Sequence, residues 1–421
     1  MNKKRLLHMG LVLLGLIPTA AEAQSLVSGQ GVADRARPDY DPVGSRVGAF
    51  ILYPTVTATA AATNNYLATD TDQRGDAYLY VQPDLLVRSD LARQQFEGHV
   101  FVNQSVHASL SGDDSTQYGA SANDSFDVSH DTQFRVNGSA GRFVESRASL
   151  GTFQDAAEPV KFEIYHAGVG ASHSFTDLTI GGDFSAEYRN YNNTKLFDGT
   201  PVDQSYRDVR ELTASGSAQY ALRNGIGLIV SGQYNDEHYN FGPGSAGFIP
   251  NNSINRDSTG FNIDAGVTLE LTHLILGHVE VGYLSRSYDD PQLSNFGGLS
   301  YSVDVLWNVT PITSLRFRAS RSIQDTSSPQ LAGYTRSDFY FNVDHELYRY
   351  VILSGSATYG SFRPNGIGVG GNEYSVGTGA RYLINRRYSL TANVNYAGRS
   401  SDAEILRYNA VTGSIGFRVA L

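Results

Sequence analysis

The side chains of this chain with the greatest chemical reach are carboxylates and guanidinium groups set at every second position of strand-like segments. Asp304, Arg316, Arg318, Asp344, Glu346, Arg381 and Arg418 are such positions, and Tyr340 shares their parity. Counted from a turn at Pro311, Asp304 and Arg318 are each seven residues away, which places them opposite each other on a hairpin. Arg316 lies five residues from that turn, Asp344 five from a turn at Arg349, and Arg381 five from Arg386, so the three are expected at one height. One use of such groups is a charged constriction or a track for a polymer, with Tyr78, Tyr80 and Tyr340 stacking on sugar rings. The other is a cross-strand ion-pair lattice that satisfies an inner wall while the tyrosines fill space.

Covalent and metal chemistry find little support. Gly366-Ile367-Gly368-Val369-Gly370-Gly371 matches a dinucleotide-binding pattern, but no helix follows it and the context such a loop requires is missing. Asp70-Thr71-Asp72-Gln73-Arg74-Gly75-Asp76 has the start of a calcium loop, yet Arg74 stands at the third ligand and Val81 where a bidentate glutamate belongs. His99, His107, His130, His166 and His173 are scattered, and no serine–histidine signature is present. The absence of cysteine excludes disulfides, thiolate zinc, iron–sulfur clusters and cysteine nucleophiles. The expectation is therefore no enzyme, no metal and no cofactor.

The elements that carry these residues follow from composition and period. The chain has 421 residues, 18% of them charged, with 43 glycines, 26 tyrosines and a formal charge of −10. The acidic balance argues against a nucleic-acid partner, and a mean hydropathy of −0.27 does not suit a helical membrane bundle. Met1-Asn2-Lys3-Lys4-Arg5, an apolar run from Leu6 to Ile17 and Ala21-Glu22-Ala23 have the form of a secretory signal peptide over residues 1–23, cleaved before Gln24. Residues 24–48 are rich in Gly, Pro, Arg and Asp without a period and are expected as a periplasmic linker.

From residue 49 to 421 the pattern is one of strict alternation. Val411, Gly413, Ile415, Phe417, Val419 and Leu421 take one face of the last segment, and Thr412, Ser414, Gly416, Arg418 and Ala420 the other. Tyr374 and Tyr382 frame one apolar face, Tyr388 and Tyr396 the next, each pair eight residues apart; Tyr220 is a further aromatic of this kind. Eight residues of a tilted strand cover roughly 20 Å, near the height of the apolar band of an outer-membrane barrel, and tyrosine suits its headgroup-level rims. Short turns are expected near Asp90, Asp131, Asp177, Asn224, His273, Pro311, Arg349 and Arg386, alternating with longer polar loops such as 63–76, 145–159, 192–205 and 241–256.

The fold expected is all-β: a transmembrane, antiparallel up-and-down β-barrel over residues 49–421 with about eighteen strands, sixteen being the alternative because the segments near 118–128 and 160–173 alternate weakly. A sheet in hydrocarbon must pair its first strand with its last, here 49–61 with 409–421. Its surroundings are outer-membrane lipid and lipopolysaccharide, reached through the barrel assembly machinery.

Asp34-Arg35-Ala36-Arg37-Pro38-Asp39-Tyr40-Asp41-Pro42-Val43-Gly44, followed by Gly48-Ala49-Phe50-Ile51-Leu52-Tyr53-Pro54, resembles the entrance of the Gram-negative outer-membrane family known as putative β-barrel porin type 2. The resemblance extends loosely over residues 32–421, although this chain ends in Leu421 where members commonly end in an aromatic residue. Because members often lie in exopolysaccharide biosynthesis and secretion clusters, it implies a passive conduit for a sugar polymer, with that polymer and its export machinery as partners. A general diffusion porin is the alternative; it would need a long loop folded into the lumen, for which 192–205 and 241–256 are the candidates. A non-conducting structural or adhesive barrel is the third. A TonB-coupled transporter is not expected, since the 25 residues of segment 24–48 cannot form a plug domain.

Overall fold

The computed structural model describes residues 30–421, apart from 151–155, 224, 250–252, 272–273, 327–330, 332 and 367. The expected signal peptide lies outside the described residues. No described helix is long and apolar enough to cross a membrane; the crossing elements are strands. Eighteen long antiparallel strands follow one another around a closed barrel: β1 (Phe50–Thr63), β2 (Asp76–Ser89), β3 (Gln94–His107), β4 (Ser115–Asp127), β5 (Thr132–Val144), β6 (Lys161–Ser174), β7 (Leu178–Tyr191), β8 (Val209–Ala221), β9 (Ile226–Tyr239), β10 (Ser258–Leu271), β11 (Ile275–Tyr288), β12 (Phe296–Thr310), β13 (Thr313–Gln324), β14 (Tyr334–Tyr348), β15 (Val351–Pro364), β16 (Gly371–Leu383), β17 (Tyr388–Ser401) and β18 (Tyr408–Ala420). The weakly alternating segments are full strands, β4 and β6, so the larger strand count holds.

Closure joins β1 to β18 with Thr55 opposite Ala420 and Thr63 opposite Thr412. This stagger leaves residues 50–52 without a partner from β18, the Pro54 carbonyl still accepting the Leu421 N–H at 3.1 Å. The chain itself supplies one: Ser45–Val47 folds back on β1, with Ser45 opposite Leu52 and Val47 opposite Phe50. The reversal passes through Gly48 at φ +60°, a conformation that costs glycine little and other residues more.

The turns expected near Asp90, Asp131, Asp177, Pro311, Arg349 and Arg386 lie between the strands they were assigned to join, Asn224 and His273 lie outside the described residues, and long loops occupy the opposite end. Parity divides each strand. Val100, Val136, Val169, Val230, Ile263, Val281, Val376, Val394 and Ile415 are exposed on the outer face, where a bilayer would cover them. Aromatic rings frame this band. Tyr374 and Tyr396 lie 6.0 Å apart toward the loop end; toward the turns, Tyr348, Tyr350 and Tyr382 form a contact chain and Tyr388 stacks on Phe417. Tyr220, Tyr382, Tyr388 and Tyr396 are exposed and Tyr374 is half-buried.

Reversing the polarity of one position on each face tests this division. Val394→Arg puts a charge on the outer face, where Val394 is 54% exposed, and should lower stability by about 2–4 kcal/mol. Asn393→Arg, one residue away on the wet face, should cost under about 1 kcal/mol. Denaturant titration in lipid vesicles measures both.

Candidate functional site

The candidate site is the lumen with its two mouths. On the wall of β12–β14, Asp304 and Arg318 are cross-strand partners, as the count from Pro311 requires. The stronger contact is diagonal: Arg316 donates from Nε to Asp304 at 2.8 Å and from Nη2 at 2.5 Å, while Arg318 Nε lies 3.3 Å from the same carboxylate. The Arg318 guanidinium stands 5.9 Å from the centroid of the Tyr340 ring.

The expected single level of Arg316, Asp344 and Arg381 does not form. Arg316 pairs with Asn342, two residues beyond Asp344, and Asp344 pairs with Ser314. The register also shifts near both turns, between Trp307 and Thr310 and between Glu346 and Tyr348. Counting from a turn cannot see the stagger between strands that meet across a loop. Asp344 instead accepts from Ser354 Oγ at 2.6 Å and from Asn342 Nδ2 at 2.7 Å.

At the turn end the occupant is the chain's own N-terminal segment. Residues 30–42, part of the stretch expected as a linker, run along the inner wall as a strap. The Val32 N–H donates to Ser314 Oγ at 2.8 Å, and Val32 is 0% exposed. A Cβ on Gly31 would stand 3.1 Å from Ser314 Oγ and 3.3 Å from Leu306, so any larger residue would have to push one of these side chains aside by a few tenths of an ångström. Arginines clamp the strap from both sides. Arg35 donates to Asn308 Oδ1 at 3.1 Å and to the Pro311 carbonyl. Arg37 reaches Glu346 at 2.8 Å and the Val32 carbonyl at 2.7 Å. From the wall, Arg381 donates to the Ala33 carbonyl at 2.9 Å and Arg386 to the Pro38 carbonyl at 2.8 Å. Prolines at 38 and 42 and a segment with no period say little about docking; these long polar arms do the holding.

At the loop end, loops fold inward. Arg147, in the loop 145–160, bonds Asp113 from Nη2 at 2.5 Å and Nε at 3.1 Å, with the two side chains 4% and 3% exposed. Glu145 accepts from Arg207 at 2.6 Å, and the Arg207 guanidinium lies 4.0 Å from the centroid of the Tyr191 ring. Burial works against the charge of Arg207, but Glu145 together with Tyr191 and Tyr206 outweighs it and holds the guanidinium more firmly protonated than usual. Burial likewise pushes the Tyr66 phenol up, where its ring meets Tyr78 and His107. Ala148 reaches the far wall: its carbonyl accepts from Arg399, and it packs beside Ala68, Ala397 and Tyr408. Asp325, from the β13–β14 loop, lies 3.5 Å from Arg189 and 3.6 Å from Arg286. Residues 145–148 therefore cross the mouth, and Arg207 and Arg256, at the ends of the candidate loops 192–205 and 241–256, join the lid; Arg256 donates to the Thr326 and Tyr206 carbonyls.

Between the mouths, β15–β18 and β1 present a wall without charge. Ser356, Thr358, Ser375, Thr391, Asn393, Asn395, Thr412, Ser414, Thr57 and Thr59 share the inner parity. Arg381 and Arg418 bound it toward the turns, and Glu373, bonded to Arg399 at 2.7 Å and Arg336 at 2.6 Å, toward the loops. Asn393 is exposed to the lumen. Tyr78 and Tyr80 share that inner parity with their rings 5.2 Å apart. Among the described residues no group of three or more His, Cys, Asp or Glu side chains could hold a metal ion.

A closed barrel of this build, greasy outside and polar within, defines an outer-membrane, porin-like channel. A family model described as "Putative beta-barrel porin 2" matches residues 37–421, and the chain belongs to that family. No curated protein sequence matches the chain. Among solved structures it is similar to a mutant of the ferric enterobactin receptor PfeA from Pseudomonas aeruginosa, with 8% identity, a TM-score of 0.48, and coverage of 90% of this chain and 81% of that one. It is also similar to the siderophore receptor PirA from Acinetobacter baumannii, with 7% identity, a TM-score of 0.48, and 88% and 80% coverage. OccK2 (OpdF) from Pseudomonas aeruginosa in complex with glucuronate is a third, with 10% identity, a TM-score of 0.45, and 88% and 98% coverage.

Two substitutions probe the mouths separately. Arg147→Ala strands the buried Asp113 carboxylate, which should cost about 3–5 kcal/mol locally and make loop 145–160 sensitive to protease added to whole cells; unchanged protection would show that the ion pair does not hold the lid. Arg35→Ala combined with Arg37→Ala removes the strap's own clamps and should raise single-channel conductance severalfold in planar bilayers.

Proposed function

We propose that this chain is the outer-membrane conduit through which a sugar polymer leaves the cell, with an exopolysaccharide as its cargo and the export machinery of that polymer as its partner. The observation that carries this reading is the charge-free wall of β15–β18 and β1. Hydroxyls and amides such as Thr391, Asn393, Asn395 and Ser414 exchange hydrogen bonds with sugar hydroxyls or with water at little net difference. A polymer is thus held in register nowhere along this stripe and can slide. On the wall beside the stripe and at its loop end, charges that would grip it are paired, as at Asp304 with Arg316 and Glu373 with Arg399. The mechanism is passive: the polymer is pushed from behind, and its arrival displaces the strap and parts the loops.

The covered mouths support the same reading. A conduit used only during secretion must not leak small solutes at other times, and eighteen strands enclose more than side chains alone fill. The inward contacts of Glu145, Arg147 and Ala148 favour a second reading, a general diffusion porin, because a loop held this way narrows a small-solute pore. Polymer and small solute make different demands. An in-frame deletion of the gene should abolish surface polysaccharide without altering small-solute uptake. Normal polymer with slowed solute uptake would instead establish the porin.

A further inference from the structure

Beside the strap, at the turn end, a cleft opens that neither the ion-pair lattice nor the charge-free wall uses. It is lined by Tyr40 and Asp41 of the strap and by Arg381, Arg386, Arg387 and Arg418 of the barrel. Arg381 and Arg418 are half-buried on the inner faces of β16 and β18 and flank Ser389 and Thr391 of the strand between them. Arg386 and Arg387 rise from the β16–β17 turn and are exposed.

Four arginines thus line a cleft that one carboxylate lines, while Asp34 and Asp344 act on Arg381 and Asp84 acts on Arg418 from beyond ion-pair distance. Asp41 is already engaged, since it accepts the backbone N–H of Arg37. Among the described residues no carboxylate oxygen lies within 4.0 Å of a nitrogen of Arg381, Arg386, Arg387 or Arg418. Each of the two that touch the strap, Arg381 and Arg386, gives a single N–H to a carbonyl and keeps the rest of its donor fork. Several other arginines of this lumen are matched by acids in direct contact: Arg316 by Asp304, Arg37 by Glu346, Arg399 by Glu373. Arg381 also faces Arg418 and Arg37, and like charges held close with no acid in contact raise the free energy of the mouth. Guanidinium forks bind planar carboxylates and phosphates two bonds at a time.

We propose that this cleft is an oxyanion-binding site taking a carboxylate or a phosphate ester, presented at the turn-side mouth of the channel. The site needs no polymer to cross the barrel and stands apart from the export reading. Two sources share the chemistry, an acidic sugar and a phosphate group, and the probes separate them.

The test is calorimetric titration of the folded, full-length protein in detergent micelles with galacturonate, inorganic phosphate and neutral galactose, at low and high salt. At least one anion should bind ten times more tightly than galactose, weakening as salt rises; which one binds identifies the source. Arg381→Gln combined with Arg418→Gln should lose at least tenfold, whereas Arg223→Gln, in the turn after β8, should change nothing. Folding of each variant is checked by the gel shift of a barrel on heating. Should the double variant not fold, Arg387→Gln in the exposed turn is titrated in its place, with a loss of several-fold expected. Equal affinity for galactose and both anions, or anion binding that survives the arginine substitutions, overturns the proposal.

Discussion

A free strand edge cannot exist in hydrocarbon, because its N–H and C=O groups have no water to bond and each unmet group costs several kcal/mol. The whole molecule follows from meeting that one demand. The sheet must return to its beginning, so β18 pairs with β1. Closure creates an inside and an outside, and the two-residue period of a strand assigns each side chain to one of them. Even the stagger of the seam is covered, since Ser45–Val47 pairs with the overhanging start of β1. Where the barrel is closed, valines, isoleucines and tyrosines belong on the lipid side, and charges must go within.

Placing charges inside a barrel creates a second demand, that they be answered. Most are answered across or along the wall, as Arg316 and Arg318 are by Asp304. Others are answered by segments that lie over the mouths. Arg37 of the strap meets Glu346, and Arg147 of a loop meets Asp113 in a setting nearly closed to solvent. Removing one member of such a buried pair strands the other, which is why these contacts fix where strap and loops rest. The wall of β15–β18 is the complement, with little to answer and little to hold. Transport and closure are therefore separate properties, one belonging to the wall and the other to what covers its ends.

How much of this was legible in the sequence depends on range. Period, turn and loop are local, so six of the turns, the eighteen strands, the seam and the outward tyrosines such as Tyr382 and Tyr388 could be read directly. The pairing of Asp304 with Arg318 also followed, because a hairpin fixes it from one turn. Arg316 and Asp344 could not be placed together by the same count, since their strands meet through a loop and are offset there. The strap left no signal: residues 30–42 have no period, and their contacts lie some 270 to 350 positions away, as between Val32 and Ser314 or Arg381 and Ala33. The lid was hidden in the same way, because Glu145 and Arg207 look like ordinary loop charges until the loops are folded. Arg35 and Arg37 stood in the segment that resembled a family entrance, and their pairing with the barrel gives that motif a physical reason.

Because the chain contains no cysteine, the seam can be tested without background. Ala58→Cys and Phe417→Cys are placed on directly opposed residues of the first and last strands, with Ala392→Cys and Ile415→Cys on an ordinary hairpin as the comparison. In outer-membrane fractions under mild oxidation, both pairs should form disulfides, and the seam pair should join residues 359 positions apart, giving a chain of altered gel mobility that reduction restores. A hairpin pair that links while the seam pair stays reduced would mean that the sheet is open, and the account would fail at its root.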